Sequence, residues 1–146
     1  MIVLHALPPN YDQIVEAFPA VKDSKTVVFT YCGAIYNPYR GHIDEALGLH
    51  EALHSLQQDA MGPGEEGAKA WWDKYIESPA FRFDQEARAY GVQYRRICEL
   101  NRDRNKRAWY LHRFAQDLSS PQYGNVATLA QAKHFIIDYS TLPIDV

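Results

Sequence analysis

The run TVVFTYCGAIY, Thr26 to Tyr36, is the only dense block of β-branched and aromatic residues in the chain, and it limits what the polypeptide can fold into. Gly33 offers a turn inside it, so one strand or one hairpin is expected there. Elsewhere apolar residues recur at helical spacing. The expected class is therefore α+β, mostly helical, with a small antiparallel strand element.

The helical segments carry their own start and stop signals. Tyr11 to Phe18 is closed by Pro19. A helix is expected from about Ile43 to Ala60, ended by MGPG. EEGAKAWWDKYIE forms another, with Trp71, Trp72 and Tyr75 as packing anchors beneath the preceding helix. Ser78 suits an N-cap and Pro79 a first helical position, opening a long helix to about Leu100. Lys106 to Leu118 follows after NRDRN, and Asn125 is the expected cap of a last helix reaching Tyr139. No repeat or linker divides residues 1–146, so a single domain is expected.

With 47% hydrophobic and 23% charged residues, the chain can build a real core. A formal charge of -3 and a pI near 6.0 give no global attraction to nucleic acid or an anionic membrane. RRICELNRDRNKR is rich in arginine, but Glu99 and Asp103 interrupt it and no aromatic platform is interleaved. It reads as a solvated helix tip, and nucleic acid is not an expected partner. No apolar run approaches the roughly 20 residues of a membrane-spanning helix. The N-terminus lacks a basic n-region and a long h-region, so a cytoplasmic location is expected. Cys32 and Cys98 are too few for a disulfide framework and read as small buried apolar residues.

The chemistry concentrates in LHEALHSLQQ, Leu49 to Gln58. On a helix of about 100° per residue, Leu49, Leu53 and Leu56 share one face, and His50 and His54 lie side by side at its edge. Two imidazoles at this spacing can converge on a metal, with Glu51 beside them as a base. The alternative is an ordinary amphipathic helix whose histidines are merely hydrogen-bonded.

A catalytic zinc wants a third protein ligand. In the long helix, Phe83, Ala87, Tyr90, Tyr94 and Ile97 form an apolar stripe with Glu86 on its edge. A carboxylate there needs either a metal or a cation such as Arg82 one turn earlier. Asp84 faces away from the stripe.

HEALH followed by QEARAY resembles the zincin metallopeptidases of the gluzincin type, in which a histidine-glutamate-histidine helix pairs with a glutamate on a second helix. The order AIYNP, HEALHSLQQ, WWDKYIESPAFRFDQEARAY and a later YG also resembles small zincin-like proteins of tailed phages and prophages. The resemblance implies one zincin-like metal-binding domain with zinc held by His50, His54 and Glu86. It also implies peptide-bond hydrolysis by zinc-activated water, with Glu51 as general base. The alternative is a zincin-fold structural or interaction module, phage-associated, with structural zinc and no catalysis.

The resemblance assigns TVVFTYCG to the edge strand beside which a polypeptide substrate lies, where the residues alone allow a core strand. Tyr94, Tyr110 and His112 are available as oxyanion donors, and His42 stands just before the metal helix. Two departures stand out: Tyr90 occupies the place where many gluzincins carry an acidic residue, and the span from His54 to Glu86 is wide.

Overall fold

A computed structural model describes residues 1–146. Three short strands, β1 (Ile2–Leu4), β2 (Phe29–Tyr31) and β3 (Ala34–Tyr36), accompany six helices. The helices are α1 (Tyr11–Ala17), α2 (Glu45–Ala60), α3 (Gly64–Glu77), α4 (Pro79–Leu100), α5 (Arg104–Leu118) and α6 (Leu129–Thr141). No helix is long and apolar enough to cross a membrane.

The antiparallel hairpin is present, with Phe29 opposite Tyr36 and Tyr31 opposite Ala34. Cys32 and Gly33 connect the strands at φ 48° and 79°, the left-handed pair that a two-residue hairpin turn requires. That turn puts Cys32 at an exposed tip, and Cys98 is half-buried, so neither is the small core residue expected from the sequence. β1 adds to β3 in parallel, giving the order β1-β3-β2 and a mixed sheet. Its largely exposed residues carry no burial pattern that announces a strand.

Capping side chains set the helix starts. Asp44 accepts from the Leu47 amide at 2.8 Å, which starts α2 after Ile43. Ser78 accepts from the Phe81 amide at 3.2 Å with Pro79 following, as the sequence suggests. Asp103 caps α5 and begins it two residues before Lys106. For α6 the cap is Thr128, in a reciprocal capping box with Gln131, rather than Asn125, whose φ of 51° is left-handed.

α4 is the central element, packed by α6, α2, α5 and α3. One core cluster joins Trp71, Trp72 and Tyr75 of α3 to Phe83 and Ala87 of α4, Leu118 of α5, Ile136 of α6, Ile14 of α1 and Phe29 of β2. The tryptophan-rich helix thus packs where the sequence places it. Two arginines of this segment are held by α2 and α6 as well as locally: Arg96 pairs with Glu45 and Glu99, both at 2.8 Å, and Arg95 donates to the Ser140 carbonyl at 2.7 Å.

α2 departs from expectation in which face it buries. Leu53 is in the core, but Leu49 and Leu56 are 39% and 51% exposed. The inward face instead carries His50, Glu51, His54, Ser55, Gln57 and Gln58. Polar side chains can be buried there because β2 and α4 supply hydrogen-bond partners for them.

Candidate metal centre

One turn of α2 sets His50 and His54 on the same face, and α4 brings Glu86 against both. Their ligand atoms form a small triangle. The two Nε2 atoms are 3.1 Å apart, and Glu86 Oε2 lies 3.2 Å from His50 Nε2 and 3.4 Å from His54 Nε2. All three residues are buried. The other ring nitrogens are engaged by amide oxygens: His50 Nδ1 with Gln93 Oε1 at 2.9 Å, and His54 Nδ1 with Gln57 Oε1 at 2.8 Å. Those oxygens accept, so each Nδ1 carries a proton and each Nε2 is the atom turned towards Glu86, free to ligate a metal in the neutral imidazole.

Two imidazole nitrogens and a carboxylate oxygen thus face one point, an arrangement in which the carboxylate charge is compensated by a proton on an imidazole or by a metal ion. The group could hold a metal ion. The charges within it are strongly coupled. Burial works to raise the Glu86 carboxyl, but His54 and His50 outweigh it and hold the group well below the usual carboxylate range. Burial likewise opposes the His54 imidazolium, and Glu86 overcomes this, pushing His54 up to about 9.

The surrounding side chains fix these ligands. Tyr75 donates to Glu86 Oε1 at 2.6 Å. Burial, reinforced by Glu86, pushes the Tyr75 phenol well above its ordinary value, so it remains a donor. Gln57 is itself anchored by donating to the Gln85 carbonyl at 3.1 Å. Tyr90 sets its ring edge-on against His50, 4.8 Å between centroids, and donates to Asp117. The place where gluzincins carry an acidic residue is therefore filled by an aromatic wall, and Gln93 supplies the oxygen to His50 instead. Arg82 does not pair with Glu86: it donates to the carbonyls of Tyr75 at 2.6 Å and Gln122 at 2.8 Å. Asp84 pairs with Arg88, away from the triad.

Glu51 is buried beside the histidines, where its Oε2 accepts from the Thr30 hydroxyl at 2.7 Å. His50, Glu51, His54 and Glu86 all line one cleft of about 790 Å³. One wall is the stretch from Thr26 to Thr30, and the other is α5, whose Trp109 is 57% exposed at the mouth. Of the three candidate oxyanion donors, Tyr110 lines this cleft and Tyr94 and His112 do not; Tyr75, Tyr90 and Tyr123 do. His42 is exposed, outside the cleft.

β2 is an edge strand, as the resemblance implies, but its Thr30 carbonyl is occupied by Gln58 Nε2 at 2.8 Å and Trp72 Nε1 at 3.0 Å. Within the cleft wall, the segment free of these bonds is the one preceding Phe29.

Sequence reasoning did not find Thr30, Gln57, Tyr75, Gln93 and Tyr123. For Gln57 a signal existed: it lies three residues after His54, on the same helix face. The others meet the site across long sequence separations and leave no local pattern. The chain matches no protein-family model, no curated protein and no solved structure.

Proposed function

We propose that the chain is a zinc-dependent peptidase of the gluzincin type, with His50, His54 and Glu86 as ligands and Glu51 as general base. The observation that carries this reading is the donor triangle on the wall of the cleft that Glu51 also lines. Zinc–donor bonds of about 2.0 to 2.1 Å put tetrahedral ligands about 3.3 to 3.4 Å apart. The separations here are 3.1, 3.2 and 3.4 Å, within about 0.2 Å of that range, which supports the reading.

When bound, zinc would polarise a peptide carbonyl and make water more acidic. The chain's own part falls to Glu51. Thr30 fixes Glu51 Oε2 and leaves Oε1 to take a proton from water and pass it to the leaving amine. Gln57 and Gln93 hold the imidazoles in the tautomer that presents Nε2. Tyr110 lines the same cleft and is the residue we assign to stabilising charge that develops on the substrate oxygen.

A structural or interaction module, in which zinc only ties α2 to α4, is the second reading. Two observations favour it: Glu51 is 5% exposed, and the Thr30 carbonyl is occupied.

Zinc analysis and cleavage of an unfolded polypeptide separate the two readings. On the peptidase reading, wild type holds one zinc per chain, cleavage stops with a chelator, and Glu51→Gln keeps zinc but loses cleavage. Cleavage by Glu51→Gln equal to wild type would overturn the assigned mechanism. Zinc retained, no cleavage of a broad peptide library and a lower melting temperature on chelation would favour the structural module.

A further inference from the structure

The two oxygens of Glu86 have separate partners. Oε2 faces the imidazoles of His50 and His54, at 3.2 and 3.4 Å. Oε1 is taken by the Tyr75 hydroxyl at 2.6 Å, a distance typical of a strong bond to an ionised acceptor.

The donor is also held still. The Tyr75 ring stacks on Trp71 at 4.7 Å between centroids, with Trp72 and Phe18 edge-on at 5.1 and 6.2 Å. Its backbone carbonyl accepts from Arg82 at 2.6 Å, and Trp71 is tied to Gln85 at 2.7 Å. A phenol clamped in this way cannot follow a carboxylate that rotates. If Glu86 turned to present both oxygens to a metal, this buried hydrogen bond would be strained or lost, and an unpartnered buried hydroxyl is costly.

The geometry points to Tyr75 as the positioning residue that keeps Glu86 a one-oxygen ligand, and so keeps a coordination position open towards the cleft. This inference rests on the zinc reading above. It assigns to α3 a role beyond packing: the aromatic cluster on that helix controls how many donors the protein gives the metal. A bidentate Glu86 would supply a fourth protein donor and crowd the position that a substrate carbonyl or water needs.

Cobalt(II) in place of zinc reads coordination number directly, because four-coordinate cobalt absorbs visible light much more strongly than five-coordinate cobalt. Wild type should show the strong absorption with one cobalt per chain. Tyr75→Phe should retain one cobalt and its far-ultraviolet circular dichroism but lose absorptivity several-fold. In a Glu86→Gln background, where the amide offers a single oxygen, Tyr75→Phe should cause no such loss.

An unchanged spectrum in Tyr75→Phe would overturn the inference while leaving the zinc reading intact. Complete loss of cobalt in the folded variant would also overturn it, since Tyr75 would then be needed to form the site. Failure of wild type to take up cobalt or zinc would remove both readings. Should Tyr75→Phe fail to fold, zinc-edge X-ray absorption of the wild type still decides: one carboxylate oxygen at bonding distance supports the inference, and two overturn it.

Discussion

Gly67 sits where the start of α3 crosses the end of α2, and its replacement by alanine tests how tightly the two helices are coupled. A Cβ at this position would lie 2.1 Å from the Gly62 carbonyl oxygen and 2.3 Å from the Gln58 carbonyl oxygen. Ordinary carbon–oxygen contacts begin at about 3.3 Å, so α3 would have to retreat by about 1 Å. Both obstacles are backbone, and no flexible side chain can give way. Overpacking of this kind costs about 1 to 3 kcal/mol. Against it, alanine offers at most about 1 kcal/mol of helix propensity, and less in a first turn. The steric cost wins, with a net loss of about 0.5 to 2.5 kcal/mol and a fall of about 1 to 10 °C in melting temperature. The same displacement carries Tyr75 along α3, away from its 2.6 Å contact with Glu86, so the hold on that ligand should loosen and zinc affinity should change as well. Calorimetry with and without zinc, together with competition against a chromophoric chelator, measures both effects. A melting temperature at or above wild type would refute the reasoning.

Two further outcomes follow from the ligand triangle. Glu86→Ala and His54→Ala should weaken zinc binding to a similar extent, since each removes one of three donors; full affinity in Glu86→Ala, measured by competition titration, would place the third ligand elsewhere. In the metal-free protein, burial lowers His54 and Glu86 more than compensates, raising it from 6.5 to about 9. Its contribution to stability is complete below pH 6.5 and is lost as pH rises through 9. Burial raises Glu86 and His54 more than compensates, lowering it from 4.5, so its contribution is present above pH 4.5 and is lost as pH falls towards the depressed value. The melting temperature of metal-free protein should therefore decline between pH 6.5 and 9, whereas zinc-loaded protein, with the metal in place of the proton, should resist that decline. A rise over this interval in metal-free protein would contradict the coupling.

The parts of this architecture legible in the sequence are those set by short-range rules. The four-residue spacing of His50 and His54 fixes a shared helix face, and Ser78-Pro79 marks the start of α4 through its own side chain and ring. The inward face of α2 was not legible. Leu49, Leu53 and Leu56 define an apolar stripe by periodicity, yet the fold turns a polar face inward and leaves Leu49 and Leu56 at the surface. Periodicity measures transfer from water and cannot see the specific partners that other elements provide, the Thr30 hydroxyl as donor and the Gln85 carbonyl and Gln93 side-chain oxygen as acceptors. β1 was hidden for a similar reason: its partner β3 lies about thirty residues away, and its exposed side chains carry no alternation. For α6, Thr128 and Asn125 are both plausible caps by residue type, and the choice turns on whether Gln131 can reach back to complete the box.

Gln58 does more than satisfy a carbonyl. Its side-chain amide gives a proton to the Thr30 carbonyl at 2.8 Å and takes one from the Cys32 amide at 3.0 Å, the two groups that a residue on a neighbouring parallel strand would engage. A single glutamine thus impersonates one peptide unit of a fourth strand. The sheet ends at β2 because its outward valences are already filled from α2, without another strand being built. An exposed strand border invites other chains to add to it, and this plug closes the stretch next to the hairpin tip to such recruitment. An extended polypeptide that aligns with the β2 border is left the stretch upstream, along Thr26 to Val28, on the wall of the cleft.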